Sequence, residues 1–179
     1  MRQRPLVHVF LATSLDGYIA GPDDDLEWLL PFSSDPPERT GYSALMARVD
    51  ALVMGRRTFD AVLDFDPWPY PDHRVVVMSH RPIEDGRAQR APETALADLL
   101  QRLHAEGVRE VYLDGGQVVR QGLAAGLVDT LTLSVAPVLL GEGVPLFGPG
   151  LGGGWAADSA EVLPSGLVQT RYRRRCGGG

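Results

Sequence analysis

The sequence predicts an α/β fold with a mostly parallel central sheet, and three observations carry that reading. Short β-branched runs alternate with helical patterns along the 179 residues, which calls for right-handed crossovers between parallel strands. Val75-Val76-Val77 is apolar without alternation, as in a strand covered on both faces. Two runs pass from a buried strand through glycine into a helix: Leu52-Val53-Met54-Gly55-Arg56-Arg57-Thr58 and Val111-Tyr112-Leu113-Asp114-Gly115-Gly116-Gln117. Each such junction leaves free N–H groups at the positive end of a helix dipole, where a phosphate is held readily.

Leu6 to Thr13 is the first strand, closed by the turn residues Ser14-Leu15-Asp16-Gly17 and resumed briefly by Tyr18-Ile19-Ala20. Residues 22–40 read as loop: three aspartates, then Leu26-Glu27-Trp28-Leu29-Leu30, then Pro31, Pro36 and Pro37. Leu45, Met46 and Val49 place a helix over Gly41–Val49. Ala51–Met54 is a strand and Arg57–Leu63 a helix; Arg74–Met78 is the β-branched strand. The stripe Leu96, Leu99, Leu100, Leu103 makes a helix of Glu93–His104, stopped by Gly107. A strand at 110–113, a helix at 117–125 and a strand at Thr130–Val135 follow. Residues 137–147 form an apolar, Gly/Pro-punctuated loop, and 160–175 a hairpin turning at Pro164-Ser165-Gly166. One domain is expected over 1–175, with 176–179 a disordered tail.

Composition narrows the function. At 44% hydrophobic and 22% charged the chain is an ordinary ordered globular protein. A net charge of −6 argues against nonspecific nucleic-acid binding. All 17 basic side chains are arginine, which excludes a Schiff base. The single cysteine, Cys176, builds neither a disulfide framework nor a zinc site. No apolar run reaches the roughly 18 residues a membrane span needs. No signal-peptide pattern follows Met1-Arg2-Gln3-Arg4-Pro5, so a cytoplasmic location is expected.

Ligands of open α/β sheets bind beyond the carboxyl ends of the strands. Here those ends carry Ala12-Thr13-Ser14, Gly55-Arg56-Arg57-Thr58, Ser79-His80-Arg81 and Asp114-Gly115-Gly116-Gln117. Arg56, Arg57, His80 and Arg81 suit an anionic group beyond a diphosphate, which favours a 2′-phosphorylated dinucleotide; solvated surface charge is the plainer account of any one of them. Neither a Rossmann G-x-G-x-x-G with its acid nor a Walker lysine is present. His8, within a strand, and His104, near a helix end, read as structural. No His/Asp/Glu set has metal-ligand spacing, and Ser14 and Ser79 lack a nucleophile elbow. For a proton donor the acids Asp23, Asp24, Asp25, Glu38, Asp50 and Glu142 stay open; Glu38, before the 41–49 helix, is the one placed to face a cleft, and Asp50 reads as structural.

Met54-Gly55-Arg56-Arg57-Thr58-Phe59 resembles the cofactor-binding turn of dihydrofolate reductases, and Asp114-Gly115-Gly116-Gln117 their second glycine pair. Ala12-Thr13-Ser14-Leu15-Asp16-Gly17-Tyr18-Ile19-Ala20-Gly21 and Ala136-Pro137-Val138-Leu139-Leu140-Gly141-Glu142-Gly143 are more similar to the reductase domain of the riboflavin-biosynthesis deaminase-reductases. The resemblance runs from about residue 6 to 173, with its motifs in order. It implies a dihydrofolate-reductase-like three-layer fold with a mostly parallel sheet and a C-terminal antiparallel hairpin. It also implies an NADPH-dependent reductase, commonly a homodimer.

By motif, Ala12, Ile19 and Ala20 would flank the nicotinamide. Gly55, Arg56, Arg57 and Thr58 would hold the phosphates from one side and Gly115, Gly116 and Gln117 from the other. Ser79, His80 and Arg81 would meet the adenosine end. Trp28 resembles the tryptophan beside the folate site. The acid that folate reductases carry after that tryptophan is replaced here by a proline-rich stretch with only Glu38 near, which weakens folate as substrate. The zinc-binding signature of a deaminase domain is absent from these residues. The implied reaction is hydride transfer to a pterin-like or ribosylamino-pyrimidine-like molecule, such as 5-amino-6-(5-phosphoribosylamino)uracil or a dihydrofolate. Glu38 or water would supply the proton. The alternative is a nucleotide- or pterin-binding module without turnover.

Overall fold

A computed structural model describes residues 3–175; the expected disordered tail 176–179, with Cys176, lies outside the described residues. An eight-stranded sheet organises it. In chain order its strands are β1 (Leu6–Thr13), β3 (Ala51–Gly55), β4 (Arg74–Met78), β5 (Gln89–Ala91), β6 (Glu110–Asp114), β7 (Thr130–Val135), β9 (Trp155–Val162) and β10 (Val168–Arg174). Across the sheet the order is β5-β4-β3-β6-β1-β7-β10-β9. The six strands from β5 to β7 run parallel; β10 is antiparallel to both β7 and β9. A separate ribbon joins β2 (Tyr18–Ala20) to β8 (Val144–Pro145).

Helices cover both faces, because successive residues of a strand point to opposite sides. One face carries α4 (Leu96–Ala105) and α5 (Gly116–Ala124) over Val7, Val9, Val53, Val76, Val111, Leu113 and Leu131. The leucines of α4 are fully buried at 96, 99, 100 and 103, each contributing about 2 kcal/mol of apolar burial. The opposite face carries α2 (Tyr42–Met46) and α3 (Arg56–Leu63) over Leu52, Met54, Val75, Val77 and Tyr112, with the short α1 (Pro37–Thr40) leading into α2. The three-layer α/β fold with its terminal antiparallel hairpin is therefore as the sequence predicts.

The departures have local causes. Residues 22–40 hold 3-10 turns at Pro22–Asp24 and Glu27–Phe32 as well as α1, so they are not plain loop. The helix expected over Gly41–Val49 shrinks to α2 (Tyr42–Met46). Gly41 at its start takes φ 82°, and a Cβ there would stand 2.8 Å from Arg171 Nη2, whose guanidinium donates to the Thr40 carbonyl at 3.1 Å. The helix predicted from Glu93 starts at Leu96. The 160–175 hairpin is longer, opening at Trp155.

At the sheet's amino-terminal edge, His8 is buried between Thr130 Oγ1 (Nδ1, 2.7 Å) and Glu110 Oε2 (Nε2, 3.0 Å). Asp50 Oδ2 accepts the N–H groups of Arg109 and Glu110 at 2.7 and 2.9 Å. Both therefore do structural work at the end remote from the strands' carboxyl ends.

Candidate functional site

The two strand–glycine–helix junctions lie against each other. Gly55 closes β3 and precedes α3; Gly115 follows β6 and precedes α5. Neither helix start has a side-chain cap, so their first N–H groups are left for a ligand. Gly115 sits at φ 87°, and a Cβ there would overlap the hydroxyl of Thr58, one turn into α3. A Cβ on Gly116 would overlap Ile19 Cδ1. Thr58, Gly115, Gly116 and Ile19 thus form one contiguous cradle. Ala20 is buried in the ribbon above it, paired with Val144, while Ala12 lies in β1 opposite Ser134 of β7.

A groove of ≈ 420 Å³ brings together Gly55, Arg56, Arg57, Ser79, His80, Arg81 and Gln117; Arg57 and Gln117 adjoin Thr58 and Gly116 in the chain, but Ala12, Ile19, Ala20, Thr58, Gly115 and Gly116 are not on its walls. It also gathers Asp60, Glu93, Thr94 and Gln121, which motif reading left out. A second hollow of ≈ 420 Å³, with Phe59, Leu63, Pro82 and Ile83 on its walls, shares Arg56 and Arg81 with the first. Arg56 is fixed by Asp60 Oδ1 (2.7 Å) and the Pro82 carbonyl (3.0 Å); Arg57 donates to Asp24 Oδ2. Ser79 is buried with its hydroxyl closing a turn: it donates to the Arg81 carbonyl at 2.9 Å and accepts from Arg81 N–H at 3.1 Å. His80 and Arg81 are exposed.

Glu38 lines neither hollow. It is exposed on the four-residue α1, where Ser43 Oγ donates to it at 3.2 Å. Glu142 is exposed as well. Trp28 packs with Phe32 and Val138 against Ala136, Leu163 and Leu167, and its Nε1 is buried without a partner.

The acid that motif reading passed over is Asp114. It ends β6, next to Met54 of β3 in register and on the face of Tyr112. Tyr70 Oη donates to its Oδ2 at 3.1 Å and Gly115 N–H to its Oδ1 at 2.8 Å. Burial raises its pKa above the usual carboxylate range, and the two hydrogen bonds oppose that rise. Around it stand Tyr42, Tyr70 and Tyr112. Burial, with Asp114 adding to it, pushes Tyr42 up to about 12 and the other two upward as well. The phenols therefore stay neutral and Asp114 holds its proton longer than an exposed carboxyl. The signal was present in the sequence: Asp114 is the acid at the strand end that opens the second glycine junction.

The residues present suit the phosphates of a dinucleotide: two helix starts without side-chain caps stand close together, and Arg56, Arg57, His80 and Arg81 line the groove beside Gly55 and Gln117. Among the described residues no group of three or more His, Cys, Asp or Glu is placed to hold a metal ion, and no helix is long and apolar enough to cross a membrane.

Comparison with known proteins agrees with this arrangement. The chain is 32% identical over 143 residues to the Bacillus subtilis protein YwjB, itself uncharacterized, covering 78% of this chain and 80% of that one. It is 31% identical over 160 residues to the riboflavin biosynthesis protein RibD of Corynebacterium ammoniagenes, covering 79% of this chain and 46% of RibD. The crystal structure of a Shewanella sp. PV-4 protein assigned to riboflavin biosynthesis superposes with a TM-score of 0.82 at 40% identity, covering 96% of this chain and 99% of that one. A model of the RibD C-terminal domain matches residues 5–168. Across that span, which takes in both glycine junctions and the groove between them, the chain belongs to the RibD C-terminal domain family.

Proposed function

We propose that the protein is an NADPH-dependent reductase acting on a pterin-like or ribosylamino-pyrimidine-like small molecule, with Asp114 in the proton role. One observation carries the reading: Asp114 opens the second glycine junction, so the proton-holding carboxyl and the cofactor cradle are adjacent in chain and in space. The family match and similarity to a riboflavin biosynthesis protein and to the dihydrofolate reductase HdrB of Haloferax volcanii support it.

Gly55, Arg57, Thr58, Gly115, Gly116 and Gln117 would hold the diphosphate. Arg56, His80 and Arg81 would meet the 2′-phosphate, and the apolar hollow of Phe59, Pro82 and Ile83 suits the adenine side. When bound, the cofactor supplies the hydride. The protein's part is to exclude water with the layer of buried Tyr112 and half-buried Phe10 and Tyr42 and to present a protonated carboxyl. Phe10 and Tyr42 meet edge to face at 5.4 Å, Tyr42 and Tyr112 at 6.1 Å. Tyr70 and Gly115 N–H fix the orientation of the carboxyl and receive its negative charge once the proton has left. Glu38, held by Ser43 in solvent, has no part in this scheme. A homodimer belongs to the same reading. The outer edge of β9, where Val162 is 68% exposed, is unpaired backbone of the kind a partner covers.

The test is tryptophan-fluorescence titration with NADPH and NADH, followed by absorbance-monitored oxidation with a panel of pterins and ribosylamino-pyrimidines. Asp114→Asn is expected to keep the NADPH affinity and lower kcat by about 100-fold or more. Wild-type kcat falls as pH rises through the Asp114 pKa, because the protonated form donates. Binding without turnover across the panel would make the domain a nucleotide- or pterin-binding module. No binding of either nucleotide would overturn the proposal.

A further inference from the structure

We infer that Asp24 is an internal stand-in for a cofactor phosphate, seated on Arg57 and displaced when the dinucleotide binds. The inference rests on reading the groove as a dinucleotide site. Its basis is one short segment that touches both junctions at once. Ile19 lies over Gly116 at the start of α5, and Asp24, five residues on, pairs with Arg57 at the start of α3. The segment is anchored behind by the β2–β8 ribbon, which Arg120 fastens to the α5 side by donating to the Pro145 carbonyl at 2.5 Å. It is anchored ahead by Asp25, whose carbonyl accepts Gly21 N–H at 2.8 Å and whose carboxylate accepts Glu27 N–H at 3.0 Å. Between the anchors, Asp23 and Asp24 take φ 56° and 63°. L-residues enter that left-handed region at a cost, with short polar side chains tolerating it best.

The pair is exposed, Arg57 at 79% and Asp24 at 50% of the side chain. An exposed ion pair is weak and exchangeable, shifting a competing equilibrium by up to about fivefold. A diphosphate brings more charge and two oxygens to one arginine fork, so it wins the seat. Asp24 then faces an anion of its own sign, and both effects make the native carboxylate a brake on cofactor affinity. Asparagine keeps the backbone tolerance of Asp24 and removes the charge, which makes Asp24→Asn the informative change.

The experiment is calorimetric titration of wild type, Asp24→Asn, Asp23→Asn, Arg57→Gln and Asp24→Asn/Arg57→Gln at about 0.15 M salt, where distant charges are screened. NADPH and inorganic pyrophosphate are the probes. Asp24→Asn is expected to bind both about three- to tenfold more tightly, Asp23→Asn within about twofold of wild type, and Asp24→Asn to have less than about twofold effect once Arg57 is glutamine. Equal effects of Asp24→Asn and Asp23→Asn, or the same tightening without Arg57, would overturn the inference. If no variant binds NADPH while pyrophosphate still tightens in Asp24→Asn, the dinucleotide reading fails and the internal anion stands.

Discussion

Gly115→Ala tests the contact on which the cofactor cradle depends. Gly115 holds φ 87° and ψ 138°, a region L-residues avoid, and keeping alanine there costs about 1–3 kcal/mol. The new Cβ would overlap the Thr58 hydroxyl and stand 3.0 Å from Thr58 Cβ; moving packed atoms aside adds about 1–3 kcal/mol. Alanine also restricts the unfolded chain, which returns about 0.4–1 kcal/mol to the fold. Mid-range values leave a net loss of about 3 kcal/mol. With a urea slope of about 2 kcal/mol/M, the unfolding midpoint drops by about 1.5 M. Thr58→Ala takes away the hydroxyl and methyl in front of that Cβ, so the double variant regains about 1–2 kcal/mol relative to additivity while the backbone cost remains. Urea melts of the four proteins measure both quantities. NADPH titration of folded Gly115→Ala should show about tenfold or more weakening, because forcing Gly115 and Thr58 apart would shift the two helix N-termini proposed to share the phosphates. A midpoint within about 0.3 M of wild type, or no coupling to Thr58, would refute the argument.

Two further predictions concern charge. Asp114 has its folded pKa raised by burial above the unfolded value, so its contribution to stability declines as pH rises from 3.8 through the folded pKa and then stays low. Asp114→Asn should therefore melt at or above the wild-type temperature at pH 8 and lose that advantage below pH 4, read by thermal scans. A variant less stable than wild type at pH 8 would show that the carboxylate holds the fold together. His8 is the reverse case: burial, outweighing the Glu110 carboxylate, lowers its folded pKa below 6.5. Stability is full above pH 6.5 and falls as pH drops from there to the folded pKa, since the unfolded chain takes up the proton first. His8→Gln should flatten that window, and an unchanged slope would place the titration elsewhere.

What was legible in the sequence is what local patterns encode. The β-branched runs of β1, β3, β4 and β7 and the leucine stripe of α4 are continuous in the chain, so burial and register follow from them. The groove was legible in part: parallel topology brings together residues from three of the four strand ends, those at Gly55, Ser79 and Gln117, while Ala12-Thr13-Ser14 stays off its walls. β5 was missed because Gln89-Arg90-Ala91 is a polar edge strand with no apolar run. The β2–β8 ribbon rests on pairing across more than 120 residues: Tyr18-Ile19-Ala20 was legible as a brief strand, but the two-residue β8 was too short to signal itself. Glu38 was favoured from its place in the chain before the helix, but Gly41 breaks that helix, and α1 turns Glu38 to solvent. Asp114 was overlooked as a proton donor because its raised pKa comes from burial, and that burial, like the Tyr70 hydroxyl that reaches it from 44 residues away, exists only once folding gathers the parts.

That gathering separates the levers on affinity from those on turnover. Asp114 is locked by the Gly115 N–H from the junction and by Tyr70 from the aromatic layer, where Tyr70 packs edge to face on Trp68 at 5.5 Å. Its position therefore needs no loop closure, whereas Arg57 is engaged by the segment carrying Asp24. Tyr70→Phe removes a hydrogen bond that lowers the Asp114 pKa and leaves the ring in place. With less stabilisation of the anion, Asp114 keeps its proton to higher pH. The high-pH limb of kcat should then move upward while the NADPH dissociation constant stays within about twofold of wild type. A limb that stays fixed, or moves down, would mean that the proton comes from another group.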